Sequence, residues 1–280
     1  MSRKIARDHI KFPSLPGMTL AGILLWMITP GAHAQEILDL DATPTNPVTI
    51  GPGGRITRET PPEAARDREY PFHIHSLWES RYVSEGRDNL DGGSLLSFFN
   101  EFSWGPFTFA PWYATGPGSD YDELNLSLIA GTSLGENLEL YAGYSHLRFP
   151  ELNAYDNEIG AGLVYTGLEW ADVGGKWYHS FATDGSFFEI IATRTFEFTE
   201  KFNLTPYSLL GFNAGYIPAG HDGANNLILG INASYIPFPR FEINSFAAYN
   251  WEIDSDPERF PEDELLRNFF WGGAGIRINF

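Results

Sequence analysis

The residues with the most chemical promise are histidines. His73 and His75 stand two apart, so in an extended chain both imidazoles share a face and form a candidate metal pair. A third ligand is not in evidence. Arg277 of the last extended run falls beside the pair, where its cation disfavours a metal. The pair reads as a polar patch, with no metal and no cofactor expected. His179 adjoins Ser180, but neighbours in a strand point to opposite faces, so these two cannot serve as base and nucleophile of a serine hydrolase. His146 has no serine two residues away, and His221-Asp222 sits in a connection rich in acids, where a solvated loop is the simpler reading. The chain has no cysteine and no G-x-x-x-x-G-K-[ST] loop, which excludes thiolate chemistry and that mode of nucleotide binding. Catalysis is not expected. The polar residues need another explanation, which comes from the elements that carry them.

The chain opens with Arg3, Lys4, Arg7 and Lys11, an apolar run from Met18 to Ile28, and the A-x-A site Ala32-His33-Ala34. This is the pattern of a secretory signal peptide, residues 1–34, removed on export through the Sec pathway; the apolar run is short of the roughly 20 residues that a spanning helix needs. Removal takes away four basic residues and one acid, moving the net charge by three from −18 to −21, a sign that argues against nucleic acid. Residues 35–71 hold Pro44, Pro47, Pro52, Pro61 and Pro62 with few large apolar side chains, and read as a flexible Pro-rich periplasmic segment, with a small plug as the alternative.

From Phe72 onward, twelve alternating runs recur between turn signals, near 72–84, 94–104, 107–115, 121–134, 138–148, 157–167, 171–182, 186–198, 204–217, 225–236, 241–252 and 268–280. Every second connection is tight: Gly105-Pro106, Gly135–Asn137, Leu168–Trp170, Thr199–Lys201 and Pro237–Pro239. Those between are mostly longer and acidic, and the last carries Asp254, Asp256, Glu258, Glu262, Asp263 and Glu264. Short turns on one side and long loops on the other predict an all-β fold, a 12-stranded antiparallel up-and-down transmembrane β-barrel over residues 72–280. With a periplasmic start, odd strands run outward and even strands return. Outward runs end on Tyr82, Tyr113, Tyr144, Phe181, Tyr216 and Tyr249; inward runs end on Trp104, Leu134, Tyr165, Phe198, Tyr235 and Phe280. Aromatic rings favour the membrane interfaces, so all of these except Leu134 form the expected aromatic girdles.

Within a run the two faces differ. Leu124, Leu126, Leu128 and Ala130 alternate with Glu123, Asn125 and Ser127; Leu227, Leu229, Ile231, Ala233 and Tyr235 share the face opposite to Asn226, Gly230, Asn232 and Ser234. The apolar set faces lipid, because charge at the bilayer midplane costs about 2–4 kcal/mol. The lumen then receives Glu79, Arg81, Glu101, Glu139, Tyr141, Lys176, Tyr178, Glu189, Asn232, Glu242, Asn244 and Arg277. Two positions fit poorly. Arg194 falls in the lipid phase and needs snorkelling or a bulge, and Pro111 removes a ladder donor from its run.

The first run and its turn read Trp78-Glu-Ser-Arg-Tyr82-Val-Ser-Glu-Gly86-Arg87, followed by Asp88-Asn-Leu-Asp-Gly-Gly93. This resembles the opening of the TorF-like porins, where a Ser-x-Tyr strand runs into an Arg-Gly turn before the first loop. Ser80 and Tyr82 match; Glu85-Gly86 stands where that family has Arg-Gly. The resemblance covers 72–280 in layout and only these residues in motif, and the layout also suits small channels such as the nucleoside-specific type. It implies an outer-membrane porin passing ions or small solutes, with outer-membrane lipid as its surroundings and no specific solute. The terminal strand ending in Phe280 resembles the signal read by the barrel-assembly machinery. The alternative expectation is a non-conducting surface, adhesion or envelope-structure barrel acting through its acidic loops.

Overall fold

The computed structural model describes residues 49–51, 55–57 and 72–280. The segment read as a signal peptide, 1–34, lies outside the described residues, as does most of 35–71. Within the latter, Thr49–Gly51 and Arg55–Thr57 form a short antiparallel pair.

From Phe72 the chain forms twelve long strands: β1 (Phe72–Glu79), β2 (Leu95–Trp104), β3 (Phe107–Thr115), β4 (Asp122–Leu134), β5 (Leu138–Phe149) and β6 (Ala154–Tyr165). They continue as β7 (Asp172–Ser180), β8 (Gly185–Thr193, resuming over Phe196–Thr199), β9 (Phe202–Ala214), β10 (Gly223–Phe238), β11 (Phe241–Glu252) and β12 (Phe269–Asn279). Each pairs antiparallel with its chain neighbours, and β12 pairs with β1, so the sheet closes into a 12-stranded antiparallel barrel. At that seam Ile278 lies opposite Ile74 and Arg277 opposite His75.

Alternation along the strands sorts side chains as the pleat requires. In β1, His73, His75, Leu77 and Glu79 are buried inside while Ile74 and Trp78 lie on the exposed outer wall. The outer wall at the short-turn end carries a nearly continuous band of rings: Phe72 stacks on Phe102 at 4.6 Å and on Phe280 at 5.3 Å, and Phe238 on Phe241 at 4.9 Å. Trp104, Tyr165, Phe198 and Tyr235 are exposed on the same wall. Tyr113, Tyr144, Phe181 and Tyr249 lie outward at the opposite end, Tyr249 packed on Trp251 at 4.4 Å.

Several boundaries differ from the expectation, each for a local reason. Strand β10 continues to Phe238, so its turn to β11 is Pro239-Arg240, with Arg240 at φ 73°; the register slips between Tyr235 and Phe238, around the missing N–H of Pro237. Strand β6 begins at Ala154, three residues early, because Ala154, Tyr155 and Asp156 continue the ladder with β5. The turn after β6 spans 166–171 rather than the three residues expected. Pro111 stays in β3: the ladder with β2 lapses between the pairs Phe99–Trp112 and Phe102–Phe109, while pairing with β4 runs through Pro111–Leu126. At Arg194 the strand breaks. The Arg194 side chain donates to the Glu169 carbonyl and lies 6.0 Å from the Phe196 ring centre, so its charge is met at the short-turn rim.

The outer wall can be tested directly. In lipid vesicles, Leu229→Arg on the exposed outer face of β10 is expected to lose about 2–4 kcal/mol of unfolding free energy. Asn232→Arg, on the inner face of the same strand, should lose much less; chemical denaturation followed by Trp fluorescence separates the two.

Candidate functional site

The first connection, 80–94, does not leave the barrel. After Glu79 the chain turns inward, and Val83–Ser84 pairs with Arg87–Asp88 in a small hairpin. Its turn is Glu85-Gly86, with φ 48° and 72°, the two positive values of a type I′ turn. Glycine is needed at 86 for a second reason: a Cβ there would lie 2.4 Å from the Asn226 side chain.

This hairpin fills the mouth at the long-connection end and packs on both walls. Val83 joins Tyr207, Leu209, Ile228, Ala248, Phe269 and Trp271 of β9–β12. Tyr82 joins Leu95, Phe99, Ala110, Trp112 and Ala114 of β2–β3, with Leu90 and Tyr121 against them. The tip crosses to the far wall, where the Tyr178 hydroxyl of β7 donates to Glu85 Oε1 at 2.7 Å. The mouth is thereby lined by phenols bonded to carboxylates. Tyr82 donates to Glu123 Oε2 at 2.7 Å, Tyr121 donates to the same carboxylate, and Tyr216 donates to Glu158.

Two expected girdle residues are corrected here. Tyr82 and Tyr216 point into the barrel rather than to the outer wall. Their phase was read as if the strands ran on, but β1 ends at Glu79 and β9 at Ala214, and beyond those points the chain curls inward over the mouth. Inside, each hydroxyl finds a carboxylate that an outward ring could not reach. Burial raises both phenols above their ordinary values.

A buried polar knot anchors the hairpin. Arg87, 3 % exposed, sends one nitrogen to Asp263 Oδ1 at 2.9 Å, another to Asn225 Oδ1 at 2.8 Å and its Nε to the Glu262 carbonyl at 3.2 Å. Asp263 is fully buried on the single turn Pro261–Glu264 and also accepts from the His221 ring at 2.7 Å. Asn225 and Asn250 donate to the carbonyls of Glu85 and Gly86 at 2.7 and 2.9 Å. Three connections (80–94, 215–222 and 253–268) are joined here. Burial works against the Asp263 carboxylate, but the hydrogen bonds from the His221 ring and from the Asp256 and His221 backbones outweigh it, holding its pKa below the usual value. Its contribution to stability is therefore present above the ordinary aspartate range and is lost as pH falls through the lowered value. His221 was paired with Asp222 in the sequence; Asp222 instead caps the Gly215 N–H at 2.7 Å.

Below this mouth the inner wall is polar. Glu79, Glu101, Glu189, Glu242 and Arg277 are buried inside, and Glu139, Tyr141, Lys176, Tyr178, Asn232 and Asn244 lie on the same inward phase. Lys176 pairs with Glu189 at 2.7 Å and Arg277 approaches Glu242 at 3.5 Å. Arg81 lies beyond β1 in the hairpin segment, paired with Asp88 and 5.4 Å from the Phe269 ring centre. His73 meets Glu101 at 2.7 Å, and His75 reaches the Asn244 amide at 3.0–3.2 Å, so the two imidazoles engage different partners. Among the described residues no group of three His, Cys, Asp or Glu is arranged to hold a metal. On the outer wall His179 pairs across the ladder with Ser186, Nδ1 to Oγ 3.1 Å, a contact the sequence reading missed. The fully exposed Asp184 at 3.8 Å is beyond hydrogen-bond reach and does not orient the ring.

No protein-family model and no curated protein matches the chain. Its barrel is similar to solved structures of the KdgM porin, at TM-score 0.53 and 9 % identity over 74 % of this chain and 99 % of that one. It is also similar to the NanC porin, at TM-score 0.50 and 9 % identity over 75 % and 100 %. The fold is that of these porins. A second KdgM structure, in complex with disordered oligogalacturonate, matches at TM-score 0.50 and 9 % identity over 74 % and 99 %.

Burial raises the Glu85 carboxyl above its usual value, more than its hydrogen bonds from Ser84 and Tyr178 lower it. The fold thus favours the neutral acid: its stabilisation is complete below the ordinary carboxylate value and is lost as pH rises through the raised one. Infrared pH titration should show protonated carboxyl absorbance persisting above the ordinary range and weaker in Glu85→Gln. An identical band in that variant would rule the assignment out.

Proposed function

We propose that this chain is an outer-membrane channel, with passage of small solutes controlled at the mouth crossed by 80–94. The observation that carries the reading is the division of side chains by the closed sheet. Large apolar residues are exposed on the outer wall and a chain of carboxylates, amides and hydroxyls lines the inner one. In water the outer wall would be costly; in a bilayer it is the required surface. The long connections with their acids are read as extracellular, and the finer likeness to the TorF-like porins rests on Ser80 and Tyr82.

Selectivity follows from charge. On the inner wall the acids Glu79, Glu101, Glu139, Glu189 and Glu242 outnumber the bases Lys176 and Arg277, so the wall carries an acid excess. A negative lumen favours cations. This separates the chain from the KdgM complex, because oligogalacturonate is an anionic sugar. The packing of Val83 and Tyr82 on opposite walls favours one second reading, a closed barrel that serves as a surface or envelope-structure protein.

Purified protein in planar bilayers should give discrete conductance steps, with reversal potentials in a salt gradient favouring K⁺ over Cl⁻. Glu101→Gln with Glu139→Gln should reduce that preference. Absence of steps at every voltage, in wild type and after replacement of 81–93 by a short Gly-Ser linker, would leave the closed-barrel reading.

A further inference from the structure

We propose that Arg87 is the positioning residue of the constriction: by clasping 80–94 to the last long connection it holds the hairpin tip at Glu85 across the lumen, and so sets the conductance. This rests on the channel reading above. The hairpin has no strand neighbour in the barrel sheet; it packs on both walls, accepts from Asn225 and Asn250 at its turn carbonyls, and is tied to the last long connection by one buried ion pair. Arg87 reaches Asp263 at 2.9 Å, Asn225 at 2.8 Å and the Glu262 carbonyl at 3.2 Å, and its backbone forms an antiparallel bridge with Leu266. Asp88 N–H donates to the Leu265 carbonyl at 3.1 Å beside it. From this anchor the turn projects away to the opposite wall, where Glu85 meets Tyr178.

The arrangement is that of a strap whose buried tie to the last long connection is the Arg87–Asp263 ion pair. Arg87 is nearly inaccessible and Asp263 wholly so, hence losing either leaves a buried charge facing its former partner, a state relieved when the strap swings out to water. A lysine cannot reproduce the fork, since the guanidinium bonds a carboxylate, an amide and a carbonyl in different directions. Glu85 would leave the lumen with the strap, so Arg87 governs the width of the opening without lining the path itself.

The chain has no cysteine, which permits a clean test. Arg87→Cys with Leu266→Cys places two thiols at a bridged antiparallel pair, a geometry that accepts a disulfide. Oxidised, this variant should conduct at the wild-type level; reduced, it should conduct several-fold more, as should Arg87→Ala, with Arg87→Lys between. The oxidised form also reports that the substitutions fold. Equal conductance in both redox states would overturn the proposal while keeping the channel. Failure of every variant and state to conduct would overturn both.

Discussion

A sheet with an apolar outer wall must satisfy its backbone polar groups internally, because hydrocarbon supplies no partners and each open N–H or C=O costs several kcal/mol. Closure is the only solution for strands, and everything else in this protein depends on it. The ladder between β12 and β1 joins the two ends of the long series of strands, and the ladder between β8 and β9 carries the sheet past the break at Arg194. Once the sheet is a cylinder, the pleat sends alternate residues to two unlike solvents, and the side chains follow.

The same cylinder creates a second, inner environment that is neither core nor bulk water. Midway and toward the short turns it takes the ion pair of Lys176 with Glu189 and the contact of His73 with Glu101. At the long-connection end it behaves more like a protein core. There a folded-in hairpin buries Val83 and Tyr82 on opposite walls and closes around Arg87, Asp263 and His221. Removing one member of such a buried ion pair typically costs about 3–5 kcal/mol, so the Arg87 guanidinium adds a strong clasp to a segment that also packs on both walls. Phenol–carboxylate contacts then distribute the acids of the mouth, with Tyr178 on Glu85 and Tyr82 on Glu123. The opening at this end is shaped by these groups and not by the circumference of the barrel.

Strand number, pairing order and the faces of β4 and β10 were legible in the sequence because each depends on local pattern: period two, aromatic run endings, and connections alternating between short and long. Such signals repeat in every hairpin, so an error in one run does not spread. Boundaries were less legible where a residue breaks the ladder without ending the strand, as Pro237 and Arg194 do. The hairpin 83–88 had a local sign as well, since a Glu-Gly pair between polar-flanked residues can close an I′ turn, but nothing local says that such a hairpin turns inward.

By itself, then, the sequence determined an alternating antiparallel barrel and the separation of its polar from its apolar wall, because these follow from chain geometry and the solvent each face requires. The tertiary structure alone decided what fills the mouth. Arg87, His221 and Asp263 are far apart along the chain and stand in segments whose composition reads only as acidic or polar loop. What brings them together is the curvature of the closed sheet, which places the connections after β1, β9 and β11 around one opening. A burial shared by three distant segments leaves no periodic trace in any one of them.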